Sequence, residues 1–84
     1  GLVGYLTATY QDLVKKFGEP HELNGDKTLA EWSFVSNDGV QFTIYDYKNY
    51  GCRKEDITNW HIGGNDSKAI IEMEKHFPAA TINY

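Results

Sequence analysis

The chain lacks the residues that build disulfide frameworks, membrane spans and DNA-binding surfaces. Cys52 is the single cysteine, which excludes an internal disulfide and suits a reducing cytoplasm. No run approaches the roughly 20 apolar residues that cross a membrane, and no basic-then-apolar signal segment opens the chain. The 8 basic residues are outnumbered by 12 acidic ones, which argues against a protein that neutralises many duplex phosphates. We therefore predict a cytoplasmic protein that binds neither membrane nor duplex nucleic acid.

The motifs of catalysis and metal binding are missing as well. The three histidines do not have the spacing of metal ligands, and one cysteine argues against a structural zinc site. Glu31, Asp46 and His61 would suit an acid–base set, but no motif joins them. The pair Gly63-Gly64 lacks the Gly-Lys-Ser/Thr ending of a phosphate-binding P-loop. The sequence thus predicts a protein that is not an enzyme and that holds no metal and no cofactor.

Aromatic residues are plentiful, with 2 Trp, 6 Tyr and 4 Phe among 84 residues. Each large ring can bury roughly 150–250 Å², so a small core can still hold a folded globule together. A chain of this length fills one core and not two. We predict a single globular domain over 5–78. Residues 1–4 suggest a tag remnant, and 79–84 form a tail that is a short strand, a swapped arm or a frayed end.

Two helices are indicated by the spacing of apolar residues. From Tyr10 to Phe17 they recur at i, i+3, i+4 and i+7, after Thr9 as the predicted N-cap residue and before Gly18 as a terminator. A second helix is predicted to begin around Ser67 and to end before Pro78.

Three strands lie between these helices. Apolar and polar residues alternate over 28–36, 40–48 and 57–62, and Asn37-Asp38-Gly39 is a strong hairpin signal. The expected fold is therefore α+β, with the order helix, three-stranded antiparallel sheet, helix (αβββα). Both helices are expected to pack on the one apolar face of the sheet.

The stretch from Trp60 to Lys68 carries the strongest functional signal. A short apolar strand passes through Gly63-Gly64 and polar capping residues into a helix. Two glycines permit a tight turn, and the helix that follows directs unpaired N–H groups at a bound anion. The same pattern is also typical of an ordinary loop before a helix.

A polar-aromatic strand face lies beside this turn. Tyr45 and Tyr47 share one side of their strand, and His61 faces away from Trp60 and Ile62, whose shared side favours core packing. Stacking rings next to an anion site suit a nucleotide, although strand tyrosines often only cover their neighbours. The candidate ligand-binding residues are Tyr45, Tyr47, Lys48, Trp60, His61, Gly63, Gly64, Asn65, Ser67 and Lys68.

Four short motifs give the chain a resemblance to a known group of proteins. They are Phe17-Gly18-Glu19-Pro20, Asp26-Lys27-Thr28-x-Ala30-Glu31-Trp32, Thr43-Ile44-Tyr45-Asp46-Tyr47-Lys48 and Trp60-His61-Ile62-Gly63-Gly64. Together they make residues 9–77 resemble small bacteriophage accessory proteins. The resemblance implies a viral protein in the cytoplasm of a host bacterium that counters host defence.

Two functions follow as hypotheses. In the first, the protein binds and sequesters a nucleotide immune signal, such as a cyclic oligonucleotide, without catalysis; the shallow pocket expected of so small a domain favours a site across a homo-oligomer interface. In the second, it is an acidic, anti-CRISPR-like inhibitor that blocks a host defence nuclease or effector protein. The acidic residues of this second hypothesis are Asp12, Glu19, Glu22, Glu55, Asp56, Glu72 and Glu74. Sequestration is favoured, because the glycine-to-helix turn has a specific physical use and mild acidity does not.

Overall fold

One antiparallel sheet with helices against one of its faces organises the chain. The computed structural model describes residues 2–22, 29–47, 51–65, 68–76 and 81–83. The strands are β1 (Leu2–Thr7), β2 (His21–Glu22), β3 (Ala30–Val35), β4 (Gln41–Tyr45), β5 (Asn59–Gly64) and β6 (Thr81–Asn83), and the α-helices are α1 (Tyr10–Phe17) and α2 (Lys68–His76). A short 3₁₀ helix occupies Lys54–Asp56. Within these residues the strands pair in the order β2-β3-β4-β5-β1-β6, and each pair of neighbours is antiparallel.

The α+β class is confirmed, but the predicted αβββα arrangement with three strands is wrong. Strands β1, β3, β4 and β5 are the long ones, and the short strands β2 and β6 extend the two edges. The missed long strand is β1, which lies between β5 and β6 and pairs Leu6 with Trp60 and with Ile82. Residues 2–4, interpreted from the sequence as a tag remnant, belong to this strand. Such a strand is defined by partners far along the chain, and its own short sequence carries only a weak signal.

Helix α1 follows its local sequence signals closely. The Thr9 hydroxyl accepts a hydrogen bond from the Asp12 N–H at 3.1 Å, which satisfies one of the free donors of the first turn. Gly18 follows the last turn with φ 85°, and its N–H donates to the Val14 carbonyl at 2.7 Å. With ψ −168° its backbone is extended at positive φ, a conformation that glycine adopts at low cost because it has no Cβ, and the helix ends there. The helix predicted over 10–17 is therefore confirmed.

Both helices pack on the same face of the sheet. The Tyr10 ring of α1 lies 5.9 Å from the Trp32 ring and 6.5 Å from the Trp60 ring, measured between centroids. Phe17 links the helices, with its centroid 5.3 Å from that of His76 in α2. The buried apolar core consists of Leu6, Tyr10, Leu13, Ala30, Trp32, Phe42, Ile44, Ile57, Trp60, Ile62, Ala69, Ile70 and Met73.

The other face of the sheet looks away from both helices. Strand register places Glu31, Tyr45, His61 and Tyr5 in one row across β3, β4, β5 and β1. A shift in the β1–β5 register between Leu2 and Gly4 brings Leu2 opposite Gly63, in the next row. We call this the open face; its residues are Leu2, Tyr5, Thr7, His21, Glu31, Ser33, Val35, Gln41, Thr43, Tyr45, Tyr47, Asn59, His61 and Gly63, with His21 directly opposite Glu31.

Candidate functional site

A cluster of three tyrosines around one histidine marks the centre of the open face. The His61 ring centroid lies 5.1 Å from that of Tyr5, 5.3 Å from that of Tyr45 and 5.6 Å from that of Tyr47. Tyr5 and Tyr47 are 44% and 41% exposed, and the other two rings are half-buried. We call these four residues the aromatic cluster. Tyr5 and Tyr45 contact His61 edge to face and Tyr47 contacts it at a tilt of 39°, so the rings are held in place without being stacked flat on one another.

The cluster follows from strand alternation combined with register. In β4 and the residue pair that follows it, Tyr45 and Tyr47 point away from Ile44 and Asp46, which are buried. In β5 the side chains of Trp60 and Ile62 are buried, so His61 between them faces outward. Register then sets His61 opposite both Tyr45 and Tyr5. Three strands from distant parts of the chain thus each contribute to one aromatic surface.

A cleft of about 470 Å³ lies beside the aromatic cluster. Ser33, Thr43 and Gly63 form one row across its floor, and the absence of a side chain at Gly63 deepens it. Tyr45 stands at one side, and Asn65 lines the cleft just beyond the end of β5. The volume falls within the roughly 300–1,000 Å³ of ligand pockets, so the cleft is large enough for a nucleotide-sized molecule.

The described side chains of the cleft are uncharged. Ser33 and Thr43 offer hydroxyl groups, and Gln41 and Asn65 offer amides, each able to donate and to accept hydrogen bonds. Glu31 does not line the cleft but lies opposite Tyr45 in the neighbouring row, so it adds one carboxylate beside the Tyr45 wall. The arrangement suits a planar ligand that carries several hydrogen-bonding groups.

The predicted glycine turn is not formed by Gly63-Gly64. Both residues belong to β5, where Gly63 pairs with Thr43 and Gly64 with Phe42. The strand predicted over 57–62 therefore ends two residues too early. Positive φ values occur in the described chain at Gly18, Gly39 and Gly51. The glycine pair thus shapes the floor of the cleft instead of wrapping an anion.

The remaining sequence candidates fall in different places. Trp60 lies on the opposite face, fully buried, and its Nε1–H donates to the Ala8 carbonyl at 2.9 Å, so it is a core residue. Lys68 is exposed at the first position of α2. Lys48 and Ser67 lie outside the described residues. Tyr5 was missed, and the only sequence signal for it was the alternation of Tyr5 and Thr7 with Leu6.

A second cleft, of about 570 Å³, lies on the helix side between α2 and the β3–β4 hairpin. Its aromatic wall is formed by Phe17, Phe34 and Phe42. These rings pack on each other, at centroid distances of 4.3 Å for Phe17–Phe34 and 4.9 Å for Phe34–Phe42. These three rings therefore pack against one another as an extension of the core, whereas Tyr5 and Tyr47 of the aromatic cluster are exposed.

Two acidic residues of the inhibitor hypothesis, Asp56 and Glu72, are each paired with a cation. Glu72 is 8% exposed and accepts a hydrogen bond from Lys75 at 3.0 Å, and Asp56 pairs with Arg53 at 3.2 Å. Both pairs place a positive charge beside a negative one, and the exposed Arg53–Asp56 pair is worth little energy. A basic groove on a partner therefore meets mixed charge at these positions.

Comparison with protein-family models, with curated proteins and with solved structures finds no match for this chain. In the described parts of the chain, no helix is long and apolar enough to cross a membrane. The same described residues contain no group of three or more histidine, cysteine or acidic side chains that could hold a metal ion.

Stability at alkaline pH is expected to depend on two tyrosines. Burial raises the pKa of the Tyr45 phenol above 10.0, and Glu31 raises it further; burial also raises the pKa of Tyr10. Both states keep these protons below about pH 10, but above it the unfolded chain loses them first. The free energy of unfolding should therefore fall as the pH rises from 10 through the folded-state pKa values.

Urea unfolding at a series of pH values measures this effect. Replacing Tyr45 with phenylalanine should make the alkaline fall smaller, because the variant has no phenol to titrate. Tyr10→Phe should also make the alkaline fall in the free energy of unfolding smaller. An unchanged pH profile in both variants would contradict the assignment.

Proposed function

We propose that this protein is a non-catalytic binding protein that sequesters a nucleotide-type ligand on the open face of its sheet. The observation that carries the proposal is the aromatic cluster beside the cleft over Gly63. Of the sequence candidates, Tyr45, Gly63, Gly64 and Asn65 line that cleft. Tyr47 and His61 complete the adjoining aromatic surface.

A base is the part of the ligand that suits the rings. Stacking of a base on an aromatic side chain is worth about 1–3 kcal/mol and tolerates any base, because each has a flat face. Tyr45 belongs to both the cluster and the cleft, so a base in the cleft can lie against its ring. Hydroxyl and amide groups at Ser33, Thr43 and Asn65 are then within the same cleft for the ribose and the base edge.

The phosphate end of the ligand is assigned to the side of Asn65 and Lys68. Lys68 is the exposed cation at the start of α2, soon after Asn65 along the chain. A helix N-terminus and a lysine both favour a phosphate. The resemblance to phage accessory proteins supplies the biological part of the proposal, in which the ligand is a cyclic-oligonucleotide signal of bacterial defence.

Native mass spectrometry of the purified protein, followed by thermal unfolding with mononucleotides and cyclic dinucleotides, tests the proposal. A retained adduct of nucleotide mass is expected, and the same spectra give the oligomeric state. A ligand at about 100 times its dissociation constant adds roughly 2.7 kcal/mol to stability, which raises the melting temperature measurably in so small a domain.

Two alanine variants connect the binding to the open face. Tyr45→Ala removes the ring shared by cluster and cleft, and His61→Ala removes the ring at the centre of the cluster. Each should weaken binding about tenfold or more. Ile71→Ala is the matched control, because Ile71 is 55% exposed on α2, away from the open face. Equal affinity in all three variants, or no binding of any nucleotide, would refute the proposal.

A further inference from the structure

We propose that Glu31 makes the ligand site selective for guanine. This inference rests on the proposed function and names the base that the open face binds. Glu31 is the one residue with a carboxylate among the open-face residues defined above, which include no lysine or arginine.

Glu31 is placed at the edge of the stacking surface. It is directly opposite Tyr45 in the β3–β4 register, and side chains opposed in this way have Cβ atoms about 4.5–5.5 Å apart. Ser33, two residues further along β3, lies on the same face and lines the cleft. A base that lies against the Tyr45 ring in the cleft therefore directs one edge at Glu31 and Ser33. The carboxylate also raises the pKa of the Tyr45 phenol, after the larger effect of burial, as a negative charge beside a phenol does.

A carboxylate discriminates between bases because it only accepts hydrogen bonds. The Watson–Crick edge of guanine presents two adjacent donors, N1–H and the 2-amino group, which match the two carboxylate oxygens. Adenine presents one donor next to the N1 acceptor, and cytosine one donor next to the N3 acceptor. In both cases the acceptor nitrogen faces a carboxylate oxygen, and the two repel each other. Uracil has a single N–H between two carbonyl groups.

Calorimetric titration with GMP, IMP and AMP tests the inference on the wild-type protein. These nucleotides share ribose and phosphate and differ only in the base, so a difference in affinity between them is due to the contacts of the base. GMP should bind about 10- to 100-fold more tightly than AMP, the range expected of a bidentate base contact. IMP lacks the 2-amino group and keeps N1–H, so its affinity should lie between the two.

Glu31→Gln sharpens the test because the two side chains have nearly the same shape. Its amide offers one acceptor and one donor, the pattern that pairs with adenine. The variant should therefore bind GMP less tightly and AMP more tightly than the wild type does. Glu55→Gln is the matched control: Glu55 is exposed in the 3₁₀ helix, away from the open face, and the variant should keep the wild-type preference.

The outcomes separate this inference from the proposed function. If wild-type protein binds AMP as tightly as GMP, or if Glu31→Gln keeps the guanine preference, the selective role of Glu31 is overturned and nucleotide binding stands. If none of the three nucleotides binds and no cyclic dinucleotide does, the proposed function fails and guanine selection fails with it.

Discussion

Replacing Trp60 with alanine is expected to lower the free energy of unfolding by about 4 kcal/mol, as large-to-small changes at buried tryptophan do. The side chain is fully buried, and its ring contacts those of Tyr10 and Trp32 at centroid distances of 6.5 and 5.4 Å. Its Nε1–H also donates to the Ala8 carbonyl. A domain of this size has only about 5–15 kcal/mol in total, so the variant should lie near the limit of folding.

Urea unfolding followed by far-ultraviolet circular dichroism measures this loss without depending on tryptophan fluorescence. Trp60→Phe keeps an aromatic ring in the core and gives up the bond to Ala8, so it should lose less than the alanine variant. Ile71→Ala, at a side chain that is 55% exposed on α2, is the surface control and should change stability by about 0.5 kcal/mol at most. A loss below about 1 kcal/mol in Trp60→Ala would mean that the ring is not part of the core.

Helix α1 and the hairpin could be predicted from the sequence because their signals are local. Thr9 and Gly18 act within a few residues of the helix ends that they define. In the hairpin, Gly39 has φ 81°, and the Ser36 N–H donates to the Val40 carbonyl at 2.9 Å. Turn and cap chemistry of this kind depends on neighbouring residues alone.

Strand β1 could not be predicted in the same way. Its position between β5 and β6 depends on pairing with residues near the other end of the chain. Nothing within Leu2–Thr7 specifies those partners, and a six-residue segment with one glycine has little pattern of its own. Because this strand was not predicted, Tyr5 was missing from the predicted site, although it contributes the third ring around His61.

At the candidate site, the sequence predicted the strand face of Tyr45 and Tyr47 correctly and the glycine turn incorrectly. Alternation correctly put Tyr45 and Tyr47 on the face opposite to Ile44. The glycine pair was interpreted as a turn, because glycine before a helix is usual in loops. Glycine also occurs within strands where close approach requires space, and Gly63 illustrates this use by deepening the cleft beside Thr43.

Asp46 is the residue for which we expect the second large loss of stability. Its side chain is fully buried, and its Oδ1 accepts hydrogen bonds from the N–H groups of Leu29 at 2.7 Å and Ala30 at 2.9 Å. The alternation of β4 continues past its end, so Asp46 points inward between Tyr45 and Tyr47, which point outward. The carboxylate thus satisfies the first backbone donors of β3, next to Glu31.

Asp46→Ala should lower the free energy of unfolding by about 3 kcal/mol, because it removes a charged acceptor and leaves the buried Ala30 N–H without one. Asp46→Asn keeps a carbonyl oxygen at the same place and should lose about half as much. Asp38→Asn, the same change at an exposed turn position, is the matched control and should be nearly neutral.

Amide hydrogen exchange adds a readout that locates the effect. In Asp46→Ala the N–H groups of Leu29 and Ala30 should exchange faster than the change in global stability alone explains, because their acceptor is gone. If these two amides stay as protected as the rest of β3, the carboxylate does not hold the start of that strand. Since Glu31 is the next residue along β3, a loosened start of the strand should also weaken the preference for GMP over AMP. Asp46 therefore connects the stability of the sheet to the selectivity of its open face.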